Sequence, residues 1–331
     1  MLRGVSNATI YDVAKAAGVS HQTVSRYLRG SQQVRPETGQ RVQQALDALG
    51  YRVNSAARYL RSQRVNRVGV LAHRLDLSGP VRVLNGVTAA GRERGYLFDV
   101  VSVDGNDADD VASGLDLILE QQVAGVLAVV QSSAVIQAFQ HRGPGVPLIS
   151  NVALEGESPL NQLAGEVAAD HLAGLGHTRL GYLAGPSTWP SAADRASGFL
   201  RRARSLGCTL VWEGEGDWSA ASAYRIGGSI PIRELGITAV AAGNDSMAIA
   251  LIAALTDRGI RVPEDVSVVG TDNSPESGYL RPALTTVDVD QEGEGAHMLL
   301  SLVAQIEGWP ASEVSGLRPP ALIARGSTAA I

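Results

Sequence analysis

The chain carries one cysteine, Cys208, in 331 residues. No intrachain disulfide and no cysteine-built zinc site can form, and a reducing compartment fits. Aromatic residues make up only 5% while 45% of the chain is apolar, so Ala, Val, Leu and Gly must fill the core. That mix suits helices laid closely on sheets. No apolar run approaches the length of a membrane span, and Arg3, Asp12 and Lys15 interrupt the N-terminal stretch where a secretory h-region would lie. GxGxxG, GxxxxGK followed by Ser or Thr, HExxH and GxSxG are all missing, which removes the common dinucleotide, P-loop, zinc-protease and serine-hydrolase readings. The six histidines show no metal-like pairing. His171 and His177 read as helix-surface and cap residues, and Cys208 as a small apolar residue near a helix end. There is no low-complexity stretch and no short repeat. The expectation is a cytoplasmic protein that is not an enzyme and needs no metal or cofactor.

What is present is distributed unevenly. A net charge of −5 argues against a nucleic-acid binder until it is divided. Through Arg67 there are 11 basic residues against three acidic ones, a formal charge of +8; the remainder carries 17 basic and 30 acidic residues, −13. A basic head on an acidic body is expected when only the head touches phosphates.

The head has the punctuation of a helix-turn-helix. In TIYDVAKAAGVSHQTVSRYL (9–28), Thr9 is a candidate N-cap, and Ile10, Val13, Ala14 and Ala17 form an apolar stripe at helical spacing. Gly18 ends that helix, where glycine takes φ > 0 without steric cost. Ser20 caps a second helix containing Thr23, Val24 and Leu28. Pro36 and Glu37 open a third, with Val42, Ala45, Leu46 and Leu49 on its apolar face and Gly50 closing it. Asn54–Arg61 is a short helix candidate, too short to be stable alone. The polar, basic stretch from Ser62 to Arg67 marks the domain boundary.

From Val68 the rhythm becomes strand–helix alternation. Strand candidates are 68–72, 97–103, 125–130, 147–150, 180–184, 238–243 and 266–272, with helical segments such as 106–122, 165–175, 194–206 and 245–258 between them. This is the pattern of parallel sheets wound with helices. It occurs twice, over about 68–160 and 161–288.

These segments together resemble the lactose-repressor (LacI/GalR) family over nearly the whole chain. The resemblance rests on YDVAKAAGVSHQTVSRYL, on LGY at 49–51, and on Asn54, Ala57 and Leu60 in an N-x-x-A-x-x-L pattern. In the body it rests on LGHTRLGYLAGP (175–186), EGDWSAASAY (215–224), GNDSMAIA (243–250), RVPEDVSVVGTDN (261–273) and PALTTV (282–287). It implies an α/β protein: an N-terminal all-α helix-turn-helix headpiece (1–53), a hinge helix and linker (54–66), and a periplasmic-binding-protein-like sensor (67–331) of two flavodoxin-like subdomains. The N-subdomain is expected at about 67–160 and 290–320, and the C-subdomain at about 161–288 and 321–328. The implied function is a DNA-binding transcriptional repressor whose operator binding is controlled by a sugar held between the subdomains.

The resemblance also carries residue roles. The second helix is the expected recognition helix. Its His21 and Gln22 enter the major groove, where Gln22 can pair bidentately with adenine, and Arg26, one turn on, can fork onto guanine. Tyr11, Thr23, Ser25, Arg29, Arg35 and Thr38 are candidates for phosphate contacts, which position the head without specifying sequence. In the hinge, Leu60 matches a leucine that wedges into the minor groove, with Asn54 and Ala57 on the same short helix; the family often has proline before that asparagine, where this chain has Val53. For the sensor, Arg195, Asn244 and Asp272 match positions that bind sugar hydroxyls, Ser191 precedes Arg195 by four residues, Trp218 can supply an apolar plate, and Leu77, Gly79 and Pro80 match the opposite wall. Asp288, Val289 and Asp290 stand where the family often has a polar residue after the strand. The segment 150–162 is a few residues short, leaving Asn151 as the nearest match to a ligand-contacting aspartate.

Two other readings stay open: a nucleobase effector on the same fold, and a carbohydrate-binding α/β protein whose basic head has no DNA role. The expected partners are a pseudo-palindromic double-stranded operator, a small-molecule effector and a second copy of the chain. A helix-turn-helix reads one half-site and two-fold symmetry supplies the other, so a homodimer is expected. The final ARGSTAAI shows no a/d leucine repeat of the kind that builds tetramers.

Overall fold

The computed structural model describes residues 8–28, 34–51, 65–129, 132–142, 145–150, 159–310 and 316–331. The chain divides into two compact units, Met1–Val65 and Asn66–Ile331. Arg29, Asn54, Ala57, Leu60 and Asn151 lie outside the described residues.

The first unit has three helices, α1 (Ile10–Ala17), α2 (His21–Leu28) and α3 (Pro36–Ala48). Thr9 caps α1 reciprocally: its hydroxyl accepts from the Asp12 N–H, and the Asp12 carboxylate accepts from the Thr9 N–H at 2.8 Å. Gly18 takes φ 64°, which lets the chain turn at once into α2, where Ser20 Oγ accepts from the Thr23 N–H at 3.2 Å. Val13, Ala14 and Ala17 of α1 meet Val24 of α2 and Val42, Ala45 and Leu46 of α3 in one small core.

The second unit holds two sheets. The first contains β1 (Arg67–Ala72), β2 (Leu97–Ser102), β3 (Gly125–Val129) and β4 (Leu148–Ser150) in the order β2-β1-β3-β4, all parallel, wound with α4 (Ser78–Glu93), α5 (Ala108–Leu119) and α6 (Ser133–Arg142). After α7 (Pro159–Gly174) comes the second sheet, with β5 (Arg179–Ala184), α8 (Pro190–Ser205), β6 (Thr209–Glu215), α9 (Ala220–Gly227), β7 (Ala239–Ala242), α10 (Asp245–Asp257), β8 (Ser267–Thr271) and β9 (Thr285–Asp288). The chain then returns to the first half as α11 (Gln291–Glu307), which lies against α4, and crosses back once more as β10 (Ala321–Ile323), antiparallel to β9. The second sheet runs β10-β9-β8-β7-β5-β6. β3, β7 and β8 are buried along their whole length because helices cover both faces, which is why they read as unbroken apolar runs.

Three strands escape the sequence pattern. β6 and β10 are only partly buried edge strands, so their apolar signal is diluted, and β9 is short and carries two threonines, both fully buried. His177 completes the cap of α7, its N–H donating to the Leu172 carbonyl at 3.1 Å, but its ring is buried. It is 1% exposed, and its ring contacts Thr238 Oγ1 (3.0 Å), Ser267 Oγ (3.1 Å) and the Ala329 carbonyl (3.1 Å), tying the C-terminal segment to the base of the second sheet. His171, half-buried, lies 2.9 Å from Thr328 Oγ1 in the same region. Burial lowers the pKa of both rings, because it disfavours the imidazolium. Cys208 is buried, with its thiol 3.3 Å from the His177 carbonyl.

Each half of the second unit contains one helix pair in which glycines from both partners allow backbone contact. A Cβ on Gly86 of α4 would lie 2.0 Å from the Glu292 carbonyl oxygen, and one on Gly295 of α11 would lie 1.9 Å from that of Val83. In the other half, a Cβ on Gly165 of α7 would meet the Arg195 carbonyl at 2.1 Å, and one on Gly198 of α8 that of Gln162 at 2.1 Å. These distances leave no room for any side chain. Gly165→Ala should therefore push α8 off α7 and lower stability by roughly 1–3 kcal/mol, as overpacking does. Gly174→Ala, at a helical position with nothing within 4 Å, should be neutral or slightly stabilising. Thermal melts of the two variants check this, and equal melting temperatures would contradict the close crossing.

Candidate functional site

On the first unit, α2 exposes His21, Gln22 and Arg26. Gln22 and Arg26 are one turn apart, so they share a face. Tyr11 is 66% exposed and its ring centroid lies 5.2 Å from that of His21, extending this face onto α1. Thr23 is half-buried with its hydroxyl 2.9 Å from Ser20 Oγ at the start of α2. Arg35 is exposed at the N-cap of α3, and Thr38 is half-buried in its first turn. Ser25 is 7% exposed, beside Val24 on α2.

The second unit contains a cavity of about 570 Å³ at the carboxyl ends of strands from both sheets, where open α/β folds bind ligands. The seven sensor residues singled out above, Leu77, Pro80, Ser191, Arg195, Trp218, Asn244 and Asp272, all line it, as does Gly79. Leu77 and Pro80 come from the turn into α4; Ser191 and Arg195 from the first turns of α8; Trp218, Asn244 and Asp272 follow β6, β7 and β8.

Arg195 is the centre of this arrangement. Its guanidinium is 7% exposed, donates to the Gly243 carbonyl and, at 2.8 Å, to Asn161 Oδ1, and stands 3.6 Å from Asp272 Oδ1. It also lies 5.9 Å from the centre of the Trp218 ring. That ring is pressed against glycine backbone: a Cβ on Gly185 would come within 2.3 Å of it, and one on Gly243 within 3.0 Å. The glycines of LAGP and GND thus make the slot for the indole. Trp218 (φ 69°) and Asp272 (φ 111°) both adopt a backbone conformation that L-residues avoid. Such strain persists where the surroundings over-determine it, commonly at functional sites.

Asn244, which lines the cavity, has its amide engaged on both sides. Its Oδ1 accepts from the Met247 N–H at 2.8 Å and caps α10, while its Nδ2 donates to the Trp218 carbonyl at 3.0 Å. It holds Trp218 in place while one face of its amide borders the cavity. Asp245, beside it, is buried and accepts from the Ser274 N–H, Ser277 Oγ and Thr286 Oγ1, so it pins the loop that carries Asp272.

Among the described residues, four buried side-chain polar atoms have no hydrogen-bond partner: Arg195 Nε, Trp218 Nε1, Asp272 Oδ1 and Gln291 Oε1. All four belong to residues lining this one cavity. Two are donors and two acceptors. Asp272 Oδ1 keeps its 3.6 Å ionic contact with Arg195 but no hydrogen bond. A buried polar atom without a hydrogen bond costs about 1–3 kcal/mol, so these atoms around one space describe a site shaped for a polar guest.

Residues 9–54 match the model of bacterial regulatory proteins of the lacI family, and residues 169–328 match a periplasmic binding protein-like domain. The HTH-type transcriptional regulator MalR of Streptomyces coelicolor is 32% identical, with 96% of each chain covered. The lactose operon repressor of Escherichia coli (strain K12) is 29% identical over 97% of this chain and 91% of its own. A crystal structure of the lac repressor dimer bound to operator and the anti-inducer ONPF superposes with a TM-score of 0.83 at 28% identity, covering 98% of this chain and all of that one.

The chain belongs to the lacI family of bacterial regulatory proteins. It is a DNA-binding transcriptional repressor and not an enzyme, and like its family it binds an operator and a small-molecule effector. No helix among the described residues is long and apolar enough to cross a membrane.

Sequence reasoning missed several cavity residues of this lacI-family repressor. Trp189 forms the N-cap of α8 and packs edge-on to Trp218, with centroids 6.0 Å apart and planes at 64°. A tryptophan immediately before a helix-opening proline, two residues ahead of Ser191, was the available signal. Gln291, Glu294, His297, Met298 and Ser301 also line the cavity. Their spacing places them on one face of α11, but only the fold says what that face meets.

Burial raises the pKa of the Asp272 carboxyl to about 7; Asp245 and Glu294 add to the rise, while Arg195 and Arg82 oppose it. The folded protein therefore keeps a proton that the unfolded chain has already released at lower pH. The sign follows from linkage: the stability contributed by this group is full at acid pH and falls as pH rises toward about 7. In ligand-free protein, Asp272→Asn should remove that slope. Melting temperatures of wild type and variant, compared across this window, should diverge with the variant gaining relative stability as pH rises. Parallel profiles would show that Asp272 is not a buried titrating carboxyl.

Proposed function

We propose that this repressor is a homodimer whose operator affinity is set by a sugar bound in the cavity of the second unit. The observation that carries this reading is the set of four buried atoms without a hydrogen bond, two donors and two acceptors, among residues that line a cavity with two indole rings. A sugar hydroxyl both donates and accepts, so hydroxyls can satisfy Asp272 and Gln291 as donors and Arg195 and Trp218 as acceptors. The C–H face of a pyranose is apolar and suits an aromatic plate. Leu77, Pro80 and Gln291 stand on one side of the cavity, and Arg195, Trp218 and Asp272 on the other. A ligand that bonds both sides favours their closure, and a ligand shifts a conformational equilibrium only through such differential contacts. On the DNA side, His21, Gln22 and Arg26 read bases while Tyr11, Thr23, Ser25, Arg29, Arg35 and Thr38 hold phosphates. Asn54, Ala57 and Leu60 engage the minor groove.

Thermal-shift measurements on the full chain with panels of sugars and of nucleobases test the ligand class. Stabilisation by a sugar that also changes operator affinity is expected; stabilisation by nucleobases alone would replace the sugar. Arg195→Ala and Asp272→Asn should each abolish the effect of that sugar on operator binding. A wild-type response in both variants would place the ligand elsewhere.

Arg26→Ala should cut the ratio of operator to random-DNA affinity by about tenfold or more, since a bidentate base contact is worth roughly 1–3 kcal/mol and a dimer loses two. An unchanged ratio in a gel-shift titration would show that Arg26 does not read a base. Sedimentation at micromolar concentration should return a dimer, and a monomer or tetramer would refute the assembly.

A further inference from the structure

One segment of the first half, the turn from β1 into α4, is attached to the second half at three points. Arg74 Nη1 donates to the Asp217 carbonyl at 3.4 Å. Leu77, 9% exposed, is among the described residues the one member from the first half in the apolar cluster that contains Trp189 and Trp218. Arg82, in the second turn of α4, donates through Nη1 to the Asp272 carbonyl. Both carbonyls adjoin residues of positive φ: Asp217 precedes Trp218 (φ 69°), and Asp272 (φ 111°) precedes Asn273 (φ 52°). Neither arginine lines the cavity described above. We propose that Arg74 and Arg82 form a latch, two positioning residues that hold the halves of the second unit together on either side of that cavity and set how readily they part before an effector binds.

The two attachments are built alike. Each guanidinium is flanked by a carboxylate of its own half and donates to a main-chain carbonyl of the other. Asp76 accepts from Arg74 Nε at 2.9 Å and from Nη2 at 3.0 Å, which leaves Nη1 for the Asp217 carbonyl. Glu292 of α11 stands 3.9 Å from Arg82 Nε, while Nη1 serves the Asp272 carbonyl. A carboxylate that engages one edge of a guanidinium fixes its plane and so aims the remaining N–H groups. The arginine side chains are 29% and 20% exposed, so both bonds are partly sheltered from water, and a cationic donor makes them stronger than neutral ones. The bodies they join are stiff. On the first half, α4 meets α11 at backbone contact through Gly86 and Gly295, and the Leu77 N–H closes a turn onto the Arg74 carbonyl at 2.9 Å. On the second half, Asp245 pins the loop of Asp272, and Asn244 holds the Trp218 carbonyl. Parting the halves therefore breaks both bonds and pulls Leu77 from its cluster. An effector shifts such an equilibrium only by its differential affinity for the two arrangements, so the strength of the latch sets how much the effector must supply. The latch is independent of which molecule fills the cavity.

The test uses the full chain labelled with 5-fluorotryptophan, read by fluorine NMR, with a soluble nitroxide as the probe of access. The four tryptophans, Trp189, Trp212, Trp218 and Trp309, give four signals, assigned by replacing each in turn with Phe. Trp189 and Trp218 are 7% and 5% exposed and share a cluster with Leu77, so they become reachable when the halves part. Trp212 packs on Gly181 and Gly214 within the second half and reports any general loosening. Arg74→Gln combined with Arg82→Gln should multiply the parted population by roughly tenfold or more, because both lost bonds are charge-assisted. Nitroxide broadening of Trp189 and Trp218 should then rise while that of Trp212 stays at the wild-type level. Asp76→Asn, which acts only by releasing Arg74, should give part of the rise. Arg82→Lys, which keeps a cationic donor, should restore most of the protection lost in Arg82→Gln. Wild-type broadening of Trp189 and Trp218 in the double variant overturns the latch, and so does a rise that Trp212 shares. Should the double variant not fold, Arg74→Gln and Asp76→Asn decide, and wild-type access to both tryptophans in these two variants overturns it equally.

Discussion

The buried charge of Arg195 is the constraint around which the second unit is arranged. A guanidinium taken out of water is tolerable only when its surroundings replace the lost hydration. Here the Gly243 carbonyl, Asn161, the Asp272 carboxylate and the face of Trp218 do so, and they come from four separate segments of chain. Asn161 reaches the guanidinium because α8, which carries Arg195, lies against α7 at backbone contact. The contact itself depends on Gly165 and Gly198, whose missing side chains let each helix meet the other's carbonyls. These two glycines thus fix how closely the helix that carries the central cation approaches the helix that carries Asn161.

The supporting residues are as informative as the central one. Asp245 accepts three hydrogen bonds and fixes the loop that presents Asp272, and Asn244 caps α10 while holding the Trp218 carbonyl. Both act on their neighbours' positions. The strain at Trp218 and Asp272 is tolerated because these partners, together with the glycine slot under the indole, over-determine the geometry. A site built this way is pre-organised: the donors and acceptors stand ready before a ligand arrives, which lowers the ordering cost of binding. The acidic second unit and the basic first unit divide their partners by charge. Eleven basic residues through Arg67 draw DNA to the head, while the body's net −13 keeps phosphates from competing for its surface.

The legible parts of this protein share a physical property: their signal is local. Thr9, Gly18 and Ser20 announce a helix, a left-handed turn and a second helix within a dozen residues, because caps and turns are satisfied by atoms two to four positions away. β3, β7 and β8 are legible for a related reason, since strands covered on both faces must be apolar throughout. β6 and β10 were not, because an edge strand is half wet and its pattern blurs. The burial of the His177 ring was not legible for the complementary reason. Polar residues do not advertise burial, and what buries this one is distant in sequence: the C-terminal stretch that brings Ala329 to it.

By itself the sequence determined the helix-turn-helix, the repeated strand–helix winding and the split of charge between head and body. These follow from short-range stereochemistry and from summed charge; part of the cavity lining was legible only through the family resemblance. The tertiary structure alone decided that α11 turns its Gln291 and Glu294 face into the same cavity, and that Arg82 reaches the Asp272 carbonyl. It also decided that Asn244 holds Trp218 and that Gly165 sets how closely α8 approaches α7. Those facts depend on how the chain crosses between halves, and a crossing is fixed by which surfaces bury one another, a relation between distant segments that no local spacing records.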